Sequence, residues 1–291
     1  MTVDPFHPMA MKSILQKAKQ GQSIAIFPEG RITLTGSFMK FYEGAAFIAH
    51  KTNRPLIPVF IDGAEKTHFS RLKGIVKQRL FAPIRIIMQA PIYIDIPENL
   101  SAQSSRHYLA KYTQDCLMRT RLEVYQPTSL FESVVKARTE FGKETHCVED
   151  ITRKPLSYQA LIEGSLALSR VFSRHTSEKD RVGVLLPNTT AAALTVLGLN
   201  AINRVSALLN FSAGVDGIDA ALTAADIKTV ITSKKFLKEG KLTHLVDAFP
   251  QITWIYLEES RKEITLKDKL WVLKARRNPI KHLPEIQADD E

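Results

Sequence analysis

The chain has 291 residues, 44% hydrophobic and 24% charged, with a formal net charge of +10. This is the composition of a folded protein, long enough for two domains, and it excludes a disordered or low-complexity chain. The charge is uneven: residues 1–126 hold 17 Lys and Arg against 9 Asp and Glu, and residues 127–291 hold 23 against 21.

Apolar periodicity predicts a helix over 9–20, a strand over 23–27 ending at Pro28, and a helix over 38–51. Strands follow at 56–61, 84–88 and 92–96, then a long helix opened by Ser101 and running to about Val124. Pro127 and Thr128 mark a boundary. Beyond it come a helix (130–141), a strand (147–149), a helix (157–175), a strand (181–186), a helix (189–202), a strand (205–209), a helix (215–225) and strands at 229–232 and 252–257. The alternation predicts an α/β fold with a mainly parallel sheet covered by helices on both faces. Residues 274–291 are polar and are expected to fray. The apolar run Val182–Ala201 is interrupted by Pro187, Asn188 and three threonines, so it is read as strand, turn and helix rather than a bilayer span. Met1–Gln20 has no apolar core of the signal-peptide kind, so no secretion signal is expected. Cys116 and Cys147 are too few for a disulfide framework or zinc site and are expected to be reduced core thiols.

The first chemical motif is Phe27-Pro28-Glu29-Gly30-Arg31, directly after the first predicted strand. Pro and Gly make a tight turn that lets backbone approach a ligand. Arg31 offers a permanently charged fork for a phosphate, and Glu29 can accept a ligand hydroxyl. Gly44 follows in a Gly-Ser-Phe-Met-Lys-Phe-Tyr-Glu-Gly-Ala run, then the proline-bracketed Pro55-Leu56-Ile57-Pro58-Val59. This order resembles the glycerolipid acyltransferases. The resemblance implies that Glu29, Gly30 and Arg31 bind the glycerophosphate of the acceptor. The common form has a Thr between Gly and Arg; here Arg31 follows Gly30 directly, as in the bifunctional branch that joins a lysophospholipid acyltransferase to an acyl-[acyl-carrier-protein] synthetase.

That family uses a His-x4-Asp pair well upstream, whose histidine deprotonates the acceptor hydroxyl. His7 is the histidine before Phe27, and the position five residues on is Lys12. His50, His68 and His107 also fail the spacing. His175 with Asp180 has it, but lies after Phe27 at a predicted helix end. No catalytic residue is therefore assigned.

In the second part, Phe141-Gly142-Lys143, Tyr158, the run Asp180 to Asn188, and Ala224-Ala225-Asp226 leading to Thr232-Ser233 resemble the opening of the adenylate-forming enzymes. Those enzymes hold ATP phosphates on a Ser/Thr/Gly-rich loop ending in Lys. Neither Lys234-Lys235 nor Gly240-Lys241 replaces it. The resemblance thus divides the chain into the C-terminal part of an acyltransferase domain (1–126), the N-terminal part of an AMP-dependent synthetase domain (127–273) and a polar tail (274–291). It implies two incomplete α/β segments: an acyltransferase-like remnant, then a mainly parallel sheet of the adenylate-forming type.

The activity so implied is ATP- and Mg²⁺-dependent loading of a fatty acid onto acyl carrier protein and its transfer to a lysophospholipid, 2-acylglycerophosphoethanolamine. It would occur in the cytoplasm or peripherally on the cytoplasmic face of the bacterial inner membrane. No cofactor or metal is expected on this chain itself, which is expected to be inactive alone. The stretch Arg71, Lys73, Lys77, Arg79 and Arg85, interleaved with Leu72, Ile75, Val76, Leu80 and Phe81, suits an anionic membrane surface or an acidic carrier protein. No nucleic-acid partner is expected, because the basic stretch lacks aromatic platforms beside it and any recognised motif. Two other readings stay open: a non-catalytic lipid- or carrier-protein-binding module, and one half of a split enzyme.

Overall fold

The computed structural model describes residues 8–72, 74–124 and 127–286. The chain divides into two compact units, Met1–Gln126 and Pro127–Glu291.

In the first unit, α1 (Pro8–Lys19) packs on α2 (Gly44–Thr52), which also meets α3 (Ala102–Leu122). The small buried side chains Ala45, Ala46 and Ala49 allow these close approaches. The Ser101 hydroxyl accepts the Ser104 N–H at 3.1 Å and so caps the long α3. Ala46, Ala49, Ile94 and Leu109 form the core, with Phe47, Leu56, Tyr108 and Tyr112 against it. Strands β1 (Val59–Asp62) and β2 (Arg85–Met88) pair antiparallel, with Val59 opposite Met88 and Asp62 opposite Arg85.

Several predicted elements are corrected here. Ser23–Phe27 forms no strand, and Ile24, Ile26 and Phe27 are exposed. A strand needs a neighbour's ladder, which local apolarity does not supply, and none reaches this segment among the described residues. The helix expected from Phe38 starts at Gly44 instead. Phe38 leaves the helical path to stack edge-on with Phe41 and Phe60, at centroid distances of 5.3 and 5.6 Å. The strand expected over 56–61 shrinks to β1 plus one bridge, Leu56 to Ile92, because Pro55 and Pro58 have no N–H to give. That bridge is all that remains of the strand at 92–96, which Pro91 and Pro97 bracket.

The second unit bears out the parallel α/β prediction. Its sheet has the order β6-β5-β7-β8, all parallel: β5 (Arg181–Val184), β6 (Val205–Leu208), β7 (Thr229–Thr232) and β8 (Thr253–Tyr256). Two-residue periodicity sends alternate side chains to opposite faces. Val182, Val184, Leu186 and Ile231 meet Leu168, Phe172 and Leu199, from α5 (Tyr158–His175) and α6 (Thr190–Asn200). Leu185 and Val230 meet Ile218 and Leu222 of α7 (Gly214–Ala224), Leu237 of α8 (Lys234–Glu239) and Leu245 of α9 (His244–Ala248). The α5–α6 crossing is tight because glycines stand at it. A Cβ on Gly164 would lie 2.7 Å from Leu194, and one on Gly198 would lie 3.0 Å from the Ser165 carbonyl oxygen.

Helix α4 (Leu130–Phe141) matches its predicted bounds and packs on α5. The strand expected near Cys147 is β3 (His146–Val148), and its partner β4 (Leu156–Ser157) was not foreseen. Helices α10 (Leu257–Lys262) and α11 (Leu266–Ala275) were also not foreseen. Residues 274–286 are built into the unit rather than frayed. Ala275 is fully buried, a 3₁₀ turn covers Pro279–His282, and Leu283 packs against two core clusters. Arg138 donates to the Arg276 carbonyl, and Arg276 pairs with Glu163 at 3.1 Å. These bonds come from 113 or more residues away, so no local pattern reports them. Both cysteines are free and half-buried, with burial pushing each thiol up. No helix among the described residues is long and apolar enough to cross a membrane.

Candidate functional site

The Phe27–Arg31 segment forms the expected turn. The Gly30 N–H donates to the Phe27 carbonyl at 3.1 Å, and Gly30 has φ of 64°, which favours glycine. The neighbouring segment braces it: the Tyr42 N–H donates to the Pro28 carbonyl at 2.9 Å, and the Met39 N–H donates to Glu29 Oε2 at 3.0 Å. Glu29 is thus partly committed to the protein's own backbone. Its first task is to hold the turn against residues 39–42.

A Cβ on Gly30 would sit 3.4 Å from the Tyr42 ring, so the ring covers one side of the turn. Lys40 lies over that same ring, 5.4 Å from its centroid, and brings a second cation to the turn. Sequence reasoning missed Lys40 and Tyr42; the aromatic-rich run Phe38 to Tyr42 was the available signal. Arg31 is exposed and has no ion-pair partner among the described residues. A rigid turn with a free guanidinium beside it can grip a phosphate dianion.

Among the described residues no hydrogen bond joins a histidine to this turn. His50 Nδ1 bonds the Ile94 carbonyl at 3.0 Å within the core, and His7 lies outside the described residues. His175 and Asp180 do not act together either: His175 Nε2 contacts Glu263 at 2.8 Å, and Asp180 accepts the Ser177 N–H at 2.6 Å.

The basic stretch divides. Arg85 pairs with Asp62 at 2.6 Å and leaves the free field. Arg71, Lys77 and Arg79 are exposed, and Lys73 lies outside the described residues. Leu72 and Val76 are buried, whereas Ile75, Leu80 and Phe81 point into solvent. The expectation that the basic stretch lacks aromatic platforms is corrected: the rings of Phe69 and Phe81, close to these cations in sequence, are exposed.

In the second unit, β5 leads to α6 on one face of the sheet and β6 leads to α7 on the other. Strand connections that part in this way open a crevice at the carboxyl ends. A cleft of about 810 Å³ lies there, lined by Val184, Leu186, Asn188, Leu208, Asn210 and Phe211 among others. Asp150 closes one side. Its carboxylate accepts from the Thr152 hydroxyl at 2.6 Å and from the Thr190 N–H at 2.9 Å, which hold it well below the usual carboxylate range. The cleft was not identified from sequence, although both strands end in a Leu-Leu pair with an Asn close behind.

Lys234 is tied to Glu259 at 2.5 Å, and Lys241 sits in the turn after α8. No metal-ligating cluster of His, Cys, Asp or Glu occurs among the described residues.

The chain is similar in part to several known proteins. An adenylation–PCP di-domain artificially fused from NpsA and ThdA of Klebsiella oxytoca is 18% identical, with a TM-score of 0.41, covering 49% of this chain and 25% of that one. A 1-acyl-sn-glycerol-3-phosphate acyltransferase of Cocos nucifera is 34% identical over 98 residues, which is 32% of this chain and 30% of the relative. The chloroplastic 1-acyl-sn-glycerol-3-phosphate acyltransferase BAT2 of Brassica napus is 32% identical over 83 residues, which is 28% of this chain and 23% of the relative. The chain therefore spans under a third of either plant enzyme. Residues 7–62, which include the Phe27–Arg31 turn, match the family model described as Acyltransferase.

Proposed function

We propose that residues 1–126 carry the acceptor-binding part of a glycerolipid acyltransferase and that residues 127–273 are the opening part of an adenylate-forming domain. The enzyme so composed activates a fatty acid with ATP and Mg²⁺, loads it on acyl carrier protein, and passes it to a lysophospholipid such as 2-acylglycerophosphoethanolamine. The observation that carries this reading is the acyltransferase match over residues 7–62. It spans a braced turn whose arginine stands clear of other side chains.

In this reading Arg31 holds the acceptor phosphate and Lys40 adds to the local positive field. Gly30 lets the backbone come close, and Glu29 fixes the turn while its remaining oxygen meets an acceptor hydroxyl. Acyl transfer needs that hydroxyl to lose its proton as it attacks the thioester carbonyl. The His-x4-Asp pair that does this in the family has no counterpart in residues 1–26, so residues 1–126 account for acceptor binding and not for the proton transfer. The adenylation step likewise lacks its phosphate loop.

Calorimetric titration of the full chain with glycerol 3-phosphate tests the reading. A charge-assisted phosphate contact of roughly 1.5–3 kcal/mol sets the expectation that Arg31→Gln weakens binding about 10- to 100-fold. Acylation of lysophospholipid and ATP–pyrophosphate exchange should both stay at background. Equal binding by wild type and Arg31→Gln removes the acceptor role, and turnover in either assay overturns the inactivity of the isolated chain.

A further inference from the structure

The lobe between β1 and β2 has an unusual charge pattern. Lys66 to Ile94 contains six Lys and Arg and neither Asp nor Glu. The lobe is ordered by its own bonds. The Arg79 N–H donates to the Lys66 carbonyl at 2.8 Å, Thr67 bridges Arg79, and the Leu72 N–H donates to the Ser70 hydroxyl at 3.1 Å. Leu72 and Val76, 2% and 6% exposed, anchor it to the unit.

The other apolar side chains face the opposite way. Phe69 is 96% exposed, Phe81 89% and Leu80 76%. The Thr67–Arg79 bridge is parallel, and Phe69 and Phe81 each stand two residues past it. Arg71, Lys77 and Arg79 stand close to these side chains in sequence, are exposed, and make no ion pair among the described residues.

Two phenylalanines and a leucine held in water are a standing cost unless something covers them. An acidic protein would satisfy the cations but meets few rings this exposed with no acidic neighbour. Stacked bases would use the rings but offer nothing to Leu80 and Ile75. An anionic bilayer answers both requirements, with phosphates for the cations and acyl chains for the apolar side chains.

We infer that residues 66–72 and 74–85 form a membrane-contact lobe in which Phe69, Leu80 and Phe81 enter the interface of an anionic bilayer while Arg71, Lys77 and Arg79 rest on lipid phosphates. This inference does not depend on the acyltransferase reading.

Co-sedimentation of the full chain with phosphatidylcholine vesicles, with and without about one-third phosphatidylglycerol, tests it. The wild type should prefer the anionic vesicles. Joint Arg71→Gln, Lys77→Gln and Arg79→Gln should reduce that binding on the order of 100-fold, from about fivefold per well-placed cation. Joint Phe69→Ser, Leu80→Ser and Phe81→Ser should leave a weak binding that added salt abolishes. All six side chains are exposed, so both variants should melt as the wild type does. As a measurement independent of these variants, Phe81→Trp should give blue-shifted emission on anionic vesicles, quenched by brominated lipid. The inference is overturned if the wild type shows no anionic preference, if either joint variant binds unchanged, or if the Phe81→Trp emission ignores vesicles. Binding of acyl carrier protein or single-stranded nucleic acid by this lobe without vesicle binding overturns it too.

Discussion

Glu258 provides a direct test of how the second unit is held together. It stands in the first turn of α10 and reaches across to the start of α8. Its Oε1 accepts the Ser233 hydroxyl at 2.7 Å and the Lys235 N–H at 3.1 Å, and its Oε2 accepts the Lys234 N–H at 3.1 Å. One carboxylate thus satisfies two orphan amides of a six-residue helix and ties the end of β7 to the end of β8. Burial pushes the group up, but these donors outweigh it and bring it from its ordinary 4.5 down to about 2. At 1.36 kcal/mol per pH unit, that gap corresponds to about 3 kcal/mol favouring the folded carboxylate.

The sign follows from the direction. A depressed carboxyl stabilises the fold above its unfolded value and loses that contribution as pH falls through its folded value. Glu258→Gln should therefore unfold more easily at pH 7, by about 1–2 kcal/mol once the carboxylate's partial exposure to solvent is discounted, and the gap should close between pH 4.5 and about 2. Both tryptophans, Trp254 and Trp271, lie in the second unit, so urea titration followed by their fluorescence reads this unit alone. A gap at pH 7 below about 0.5 kcal/mol, or one that does not narrow on acidification, refutes the assignment.

Two further outcomes are expected. Asp268, 2% exposed, caps α11 through Thr265 and accepts Arg174 at 2.5 Å; burial pushes its carboxyl up, but Arg174 and Thr265 hold it well below the usual range. Arg174 and Arg170 keep 37% and 43% exposure, so Asp268→Asn should cost about 2–3 kcal/mol at pH 7, less than a sealed pair, and progressively less as pH falls below about 4; tryptophan-monitored unfolding reads it. In the first unit, Gly63 has φ of 88°, and a Cβ there would lie 2.1 Å from the Pro83 carbonyl oxygen. Gly63→Ala should cost about 3 kcal/mol or more and expose the β1–β2 region to protease, and an unchanged digestion pattern counts against this account.

The two units differ in how much their sequences disclosed. In the second unit local signals and tertiary contacts agree. Ser129, Ser157 and Thr265 cap the helices they precede, and β5 reads as apolar from Val182 onward because both its faces are buried there. Its small flanking elements were less legible. The two residues of β4 carry no periodicity, and α10 follows β8 without a break, because Tyr256 ends the strand and Leu257 begins the helix.

In the first unit the sequence by itself fixed the chemistry of the turn. Pro28, Glu29, Gly30 and Arg31 are consecutive, and turn geometry is a local property. Which groups brace that turn is not local. Glu29 spends an oxygen on Met39, Tyr42 lies against Gly30, and Arg85 is withdrawn from the basic field by Asp62, 23 residues away. Apolar runs such as Ile24–Phe27 and Ile92–Ile96 carry the pattern of strands, but a strand exists only where another backbone completes its hydrogen bonds. Sequence determined which residue types and local turns were on offer. The tertiary structure decided which were used inside the protein and which, like Arg31, Phe69 and Phe81, were left facing out, because burial and pairing depend on segments far apart in the chain.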